Sequence, residues 1–180
     1  PSIKNLTFKS KRMDMIKIVL LVLFVNMCLA HEQVGNEAVD CDTVNKFQSY
    51  HIHTLFWPSS ANSTAAAEDV HAQFLAEWSH PAECDFKPKD IGAEQMVPCT
   101  FEPDYAPAGP FLTGNFAYFI PISYHEKMIA WFLKQKSLGA AKNKLDLFVH
   151  PNSGCSRQDH TNSALWGGNK WELDVDSLSS

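Results

Sequence analysis

The sequence predicts an α+β domain in which an antiparallel sheet carries two helices on one face. Three observations predict it. Four short segments alternate in polarity or are rich in β-branched and aromatic residues, as strands are. Two segments between them repeat apolar residues at helical spacing. The resulting order is β-α-β-β-α-β. That order is the split βαβ, or ferredoxin-like, plan, in which the first strand lies centrally and pairs antiparallel with the fourth.

The fold begins after an N-terminal segment of different character. Ile18 to Val25 is an unbroken apolar run, preceded by Lys4, Lys9, Lys11, Arg12 and Lys17, and Cys28 and Ala30 are small residues beyond it. This is the pattern of a secretory signal peptide over residues 1–30, cleaved after Ala30, with Met13 or Met15 as the start. The run is too short for a membrane span, which needs about 20 apolar residues. The 180-residue chain has 15 basic and 20 acidic side chains, a formal charge of −5. Removing residues 1–30 takes five basic residues and Asp14, leaving 10 basic and 19 acidic, a charge of −9. Such a balance argues against nucleic acid as a partner, because phosphate binding relies on clustered Lys and Arg. The expected location is secreted, extracellular or within an endomembrane lumen. Asn62-Ser63-Thr64 is a glycosylation sequon consistent with that route.

Residues 31–49 form a polar lead-in, and the folded domain is expected over 50–176. Tyr50 to Trp57 reads as the first strand, ended by Pro58. Asn62, Ser63 or Thr64 can cap the first helix, whose first turn would carry Glu68 and Asp69. Its apolar face is Ala67, Val70, Phe74 and Trp78, and His80-Pro81 stops it. Residues 81–110 hold six prolines and a short strand signal near Gln95–Phe101. Leu112 to Ile122 reads as the third strand. Ser123 and Glu126 have capping-box spacing for a second helix that buries Tyr124, Met128, Trp131 and Phe132, with Gly139 just past its end. Lys144 to His150 alternates as the fourth strand and is closed by Pro151. A polar loop follows through Thr161.

The chemistry concentrates in histidines. His51 and His53 are two apart on one strand and so share a face, with Leu55 and Trp57. On the fourth strand Asp146, Phe148 and His150 face away from the helices. If strands one and four pair, His51, His53 and His150 gather on the open face as candidate metal ligands, and His160 can return to them from the next loop. Asp146 and Asp159 are the nearest possible carboxylate ligands. His71 sits among helix-face residues and is read as packing, while His31, His80 and His125 sit at element ends and are read as solvent-facing.

The same pairing organises the cysteines. Cys28 leaves with the signal peptide, and Cys41, Cys84, Cys99 and Cys155 remain in a disulfide-permissive compartment. Cys41 precedes strand one and Cys155 follows strand four, so they should meet, leaving Cys84–Cys99 to close the proline-rich segment. Arg157, the only arginine after cleavage, is a candidate clamp for a substrate carboxylate. Trp57, Phe119 and Phe148 are candidates for an aromatic pocket. An open sheet face with apolar positions also suggests a homodimer.

Several blocks carry a family resemblance. Tyr50-His51-Ile52-His53, then Leu147-Phe148-Val149-His150-Pro151, Asn152-Ser153-Gly154, Asp159-His160-Thr161 and Ala164-Leu165-Trp166 resemble the Dopa 4,5-dioxygenase family. That family shows a Y-H-x-H-x-Y-F start, a V-H-P-x-T-G segment and a D-H-T/R…A-x-W-x-G close. The resemblance covers about residues 50–173. It implies a ferredoxin-like fold, a non-haem Fe(II) site of histidines, and extradiol cleavage of DOPA or a related catechol by O2. The residues it carries over as catalytic are His51, His53, His150 and His160. One position departs: the family has G-P-H-P where this chain has Gly109-Pro110-Phe111-Leu112. Phe neither ligates nor transfers a proton, so a secreted, non-catalytic binder of a metal or aromatic ligand on the same scaffold is the competing expectation.

Overall fold

The computed structural model describes residues 40–43, 47, 49–78, 84, 97–138 and 141–178. The proposed signal peptide, His31, His80 and Gly139 lie outside them. Five strands form one antiparallel sheet: β1 (Ser49–Phe56), β2 (Cys99–Thr100), β3 (Gly114–Pro121), β4 (Asp146–Asn152) and β5 (Leu165–Gly167). Their order across the sheet is β2-β3-β1-β4-β5. The helices are α1 (Ala61–Trp78), α2 (His125–Ser137) and the short α3 (Ser156–Thr161).

β1 is central and pairs with β3 on one side and β4 on the other. Its alternation decides the layers. Tyr50, Ile52 and Phe56 join Phe116, Tyr118 and Ile120 of β3 and Leu147 and Val149 of β4 in the main core. Ala66, Ala67, Val70 and Phe74 of α1 and Met128, Trp131 and Phe132 of α2 complete it. Both long helices therefore cover the same sheet face. On the other face Leu55, Phe111 and Phe148 form a smaller cluster, with Ala164, Trp166, Trp171 and Leu173 packed against it. The face expected to meet a second copy is thus partly covered by the chain's own C-terminal segment.

Several local expectations are corrected. α1 begins at Ala61, so its cap is Ser60, whose carbonyl accepts from Ser63 and Thr64 N–H. Glu68 and Asp69 consequently fall beyond the first turn. Ser63 is instead a buried tie: its hydroxyl accepts from Trp57 N–H at 3.0 Å and donates to the Lys144 carbonyl at 2.6 Å. The capping box at Ser123 is absent. A 3-10 turn, Ile122–Tyr124, leads into α2, and its N-cap Tyr124 makes no side-chain capping bond. His125 is half-buried and stacks on Tyr50 at 5.4 Å, rather than facing solvent. β4 runs through Pro151 to Asn152. β5 pairs only with Leu147–Val149, so among the described residues no strand lies on that side of β4 at Pro151, where a residue without an N–H is tolerated. The loop expected through Thr161 contains α3, and Leu165–Gly167 adds a fifth strand.

Both cysteine pairs are bonded, Cys41–Cys155 and Cys84–Cys99. These bridges are compatible with an oxidising, extracellular compartment. Among the described residues no helix is long and apolar enough to cross a membrane. Asn62 of the sequon is exposed on the first turn of α1.

Ser63→Ala should strand the Lys144 carbonyl and the Trp57 N–H together. We expect a loss of about 1–3 kcal/mol in urea unfolding; an unchanged midpoint would show that water replaces both bonds.

Candidate metal centre

The register of β1 builds the site. His51 lies directly opposite His150 on β4, and His53 lies opposite Phe148. Directly opposed residues in an antiparallel pair share a face, so the three imidazoles converge. One ring nitrogen from each of His51, His53 and His150 can be chosen so that all three lie within 4.8 Å of one another. All three residues are buried, at 5%, 5% and 2% exposure. His160 comes from α3, and its ring centroid lies 3.8 Å from that of His150.

Hydrogen bonding sets the polarity of these rings. His150 Nδ1 lies 2.8 Å from the Pro151 carbonyl, and His160 Nδ1 lies 2.8 Å from the Ser156 carbonyl. A carbonyl oxygen only accepts, so each Nδ1 carries the proton and each neutral ring keeps its lone pair at Nε2. His53 Nδ1 lies 3.0 Å from Asn115 Oδ1 and likewise donates. The Nε2 atoms of His53 and His150 then face each other at 3.3 Å. With Nδ1 protonated on both, two lone pairs meet with no proton between them. His51 Nε2 is buried and has no hydrogen-bond partner among the described residues. This donor set fits a divalent first-row metal ion, which accepts lone pairs and resolves both conflicts.

Burial also keeps the rings neutral. It lowers the His51 pKa to about 3, with the nearby His160 adding to the effect. His53 and His150 are held well below the ordinary histidine value, again mainly by burial, with the neighbouring histidines contributing. His160 is lowered by burial too. Aromatic side chains line the cluster. Phe101 and Phe119 lie edge-on to His51 at 5.4 and 5.9 Å, and Phe111 tilts over His53 at 4.4 Å. Phe148 is fully buried and stacks on His160 at 5.8 Å.

The other expected site residues have partners of their own. Trp57 is 58% exposed and packs on Trp171, with centroids 4.5 Å apart. Arg157 pairs with Asp176 at 3.0 Å on the surface. Neither carboxylate suggested by sequence belongs to the cluster. Asp146 accepts from Asn169 and Trp171 and pairs with Lys136, while Asp159 accepts from the backbone and hydroxyl of Ser153. The Asp159 bonds close the turn that brings α3 back, and the Cys41–Cys155 bridge anchors it at Cys155, just before α3. His71 packs on Phe116 and Tyr118, as its helix face suggested.

Sequence reasoning missed Asn115. It is a buried polar residue on the histidine face of an aromatic strand, opposite Leu55. Period-two alternation from Phe119 back through Ala117 would have put it there.

The fold and the cluster define an α+β protein with a buried three-histidine candidate metal centre. Residues 50–177 match the model of the Dopa 4,5-dioxygenase family. The chain belongs to that family. Among solved structures it is similar to one described as "a putative dioxygenase" from Nostoc punctiforme. The likeness has a TM-score of 0.54 and 21% identity, and covers 73% of this chain and 90% of that one. No curated protein matches the chain.

The depressed histidines have a consequence for metal-free protein. Unfolding restores His51 to its ordinary pKa of 6.5, against about 3 when folded. Between those values the unfolded state holds the extra proton, so stability falls as pH drops through this window. Each such group contributes a slope of about 1.4 kcal/mol per pH unit. Chelator-treated protein should lose stability in urea from pH 6.5 downward, and His51→Phe should flatten the slope. An identical slope in the variant would show that His51 does not drive it.

Proposed function

We propose that the protein is a secreted extradiol ring-cleaving dioxygenase acting on DOPA or a related catechol with O2. The observation that carries this reading is the convergence of three neutral imidazoles, with facing or partnerless Nε2 atoms, in a chain of this family. The topology, with β1 between β3 and β4, is read as the ferredoxin-like plan.

His51, His53 and His150 would hold the ion, read as Fe(II). When bound, it would supply Lewis-acid and one-electron chemistry toward a catecholate and O2. Ring cleavage places both atoms of O2 in the product, and the ring supplies the electrons, so no external reductant is needed. The protein's own part is orientation, exclusion of water and proton handling. His160 keeps Nδ1 on the Ser156 carbonyl, which leaves Nε2 to accept a catechol proton and return it. The Phe101, Phe111, Phe119 and Phe148 walls keep the site apolar, which strengthens polar contacts within it. Trp57 and Arg157 are carried as outer contacts for the substrate ring and carboxylate; Arg157 would exchange Asp176 for that carboxylate.

Phe111 supports a second reading. By the resemblance it stands at the histidine of the G-P-H-P motif, and it lies against His53, so this chain holds there an apolar ring that cannot carry a proton. On that reading the protein binds a metal or aromatic ligand without turnover.

Oxygen uptake and the absorbance of a ring-opened product, measured with Fe(II)-loaded protein and a panel of catechols including L-DOPA, separate the two. The dioxygenase reading expects turnover. His150→Ala should lower kcat/KM by more than the ~100-fold that losing an outer partner of a ligand costs. Metal bound by the wild type with no catechol consumed would favour the second reading, and Phe111→His should then produce activity.

A further inference from the structure

Three of the four clustered histidines have their Nδ1 engaged by an oxygen, but one of those oxygens is different in kind. The Pro151 and Ser156 carbonyls can only accept, so they fix the tautomers of His150 and His160 unaided. His53 faces a side-chain amide. An amide can present either its oxygen or its nitrogen, and the two orientations demand opposite tautomers. With the oxygen toward it, His53 donates from Nδ1 and offers Nε2 to the cluster. With the nitrogen toward it, neutral His53 accepts at Nδ1 and carries its proton at Nε2, pointed at His150.

Asp104 resolves the ambiguity. Its Oδ2 lies 3.1 Å from Asn115 Nδ2. An ionised carboxylate only accepts, so it draws the NH2 group to itself and turns Oδ1 toward His53. The two residues are also held together by reciprocal backbone bonds, Asp104 N–H to Asn115 carbonyl at 3.0 Å and Asn115 N–H to Asp104 carbonyl at 2.9 Å. Asn115 is 2% exposed, so water does not compete freely for either end of its amide.

We propose that Asp104, acting through Asn115, is a positioning residue that fixes His53 in the Nδ1–H tautomer and so directs its Nε2 lone pair into the histidine cluster. The metal consequence rests on the ligand role given to His53 above; the tautomer does not.

The test is long-range 1H–15N NMR of the His53 ring in 15N-labelled, metal-free full-length protein, with the resonances identified by a His53 variant. Wild type should show Nδ1–H. Asp104→Asn keeps an accepting oxygen and should preserve it. Asp104→Ala frees the amide and should give a mixture with Nε2–H. Asp104→Lys presents only donors and should shift the ring toward Nε2–H; it serves if the alanine variant does not fold. A merely structural role for Asp104 would change the melting temperature and leave the tautomer alone. Retention of Nδ1–H in Asp104→Ala or Asp104→Lys overturns the proposal. Co(II) titration of the same samples is a separate arm. Affinity about 10–100-fold weaker in Asp104→Ala supports the link to metal binding. A wild type that binds no Co(II) defeats the metal reading, while the NMR result still decides this one.

Discussion

The antiparallel pairing of β1 with β4 sets His51 opposite His150 and keeps His53 on the same face. A strand has a side-chain period of two, so slipping this pairing by one residue would turn one strand's histidines into the helix-packed core. Much else follows from that register. It joins Ile52 and Phe56 to the helices, and Leu55 to Phe148 in the smaller cluster. The bridge between Cys41 and Cys155 joins residues flanking these two strands, and α3 then returns His160 to His150.

Within that frame, direction matters as much as proximity. Four imidazoles in an apolar pocket could satisfy one another by sharing protons. Here oxygen acceptors behind His53, His150 and His160 hold the protons at Nδ1. Burial opposes charging of the rings, so proton uptake is an expensive way to relieve the contact between two Nε2 atoms. A cation that accepts lone pairs relieves it without charging an imidazole. The aromatic walls add no competing ligand. Among the described residues no carboxylate joins the three histidines, so the charge of a divalent ion would be balanced by what binds there.

Much of this was legible in the sequence because it depends on short-range periodicity. The spacing of His51 and His53, and the alternation around His150, reported faces directly. The pairing of strands one and four, read from element order, then predicted both the histidine cluster and the cysteine partners. What was not legible depended on contacts distant in sequence or on local competition. Ser60 caps α1 ahead of the equally suitable Asn62–Thr64, because Ser63 is drawn to Lys144, 81 residues away. Asp146 looked available beside the histidines, but Asn169, Trp171 and Lys136 engage it. Asn115 carried no motif; its meaning comes from the ring on one side and the carboxylate on the other.

The central claim is that His51, His53 and His150 together bind one divalent metal ion. X-ray absorption at the metal edge tests it most directly, on protein loaded anaerobically with Fe(II) and freed of excess ion, with metal content measured on the same sample. The account predicts one ion per chain with scattering from three imidazoles, and a loss of bound metal in His51→Ala, His53→Ala and His150→Ala alike. Retention of stoichiometric metal in all three variants, or an edge dominated by oxygen ligands without imidazole scattering, would contradict it.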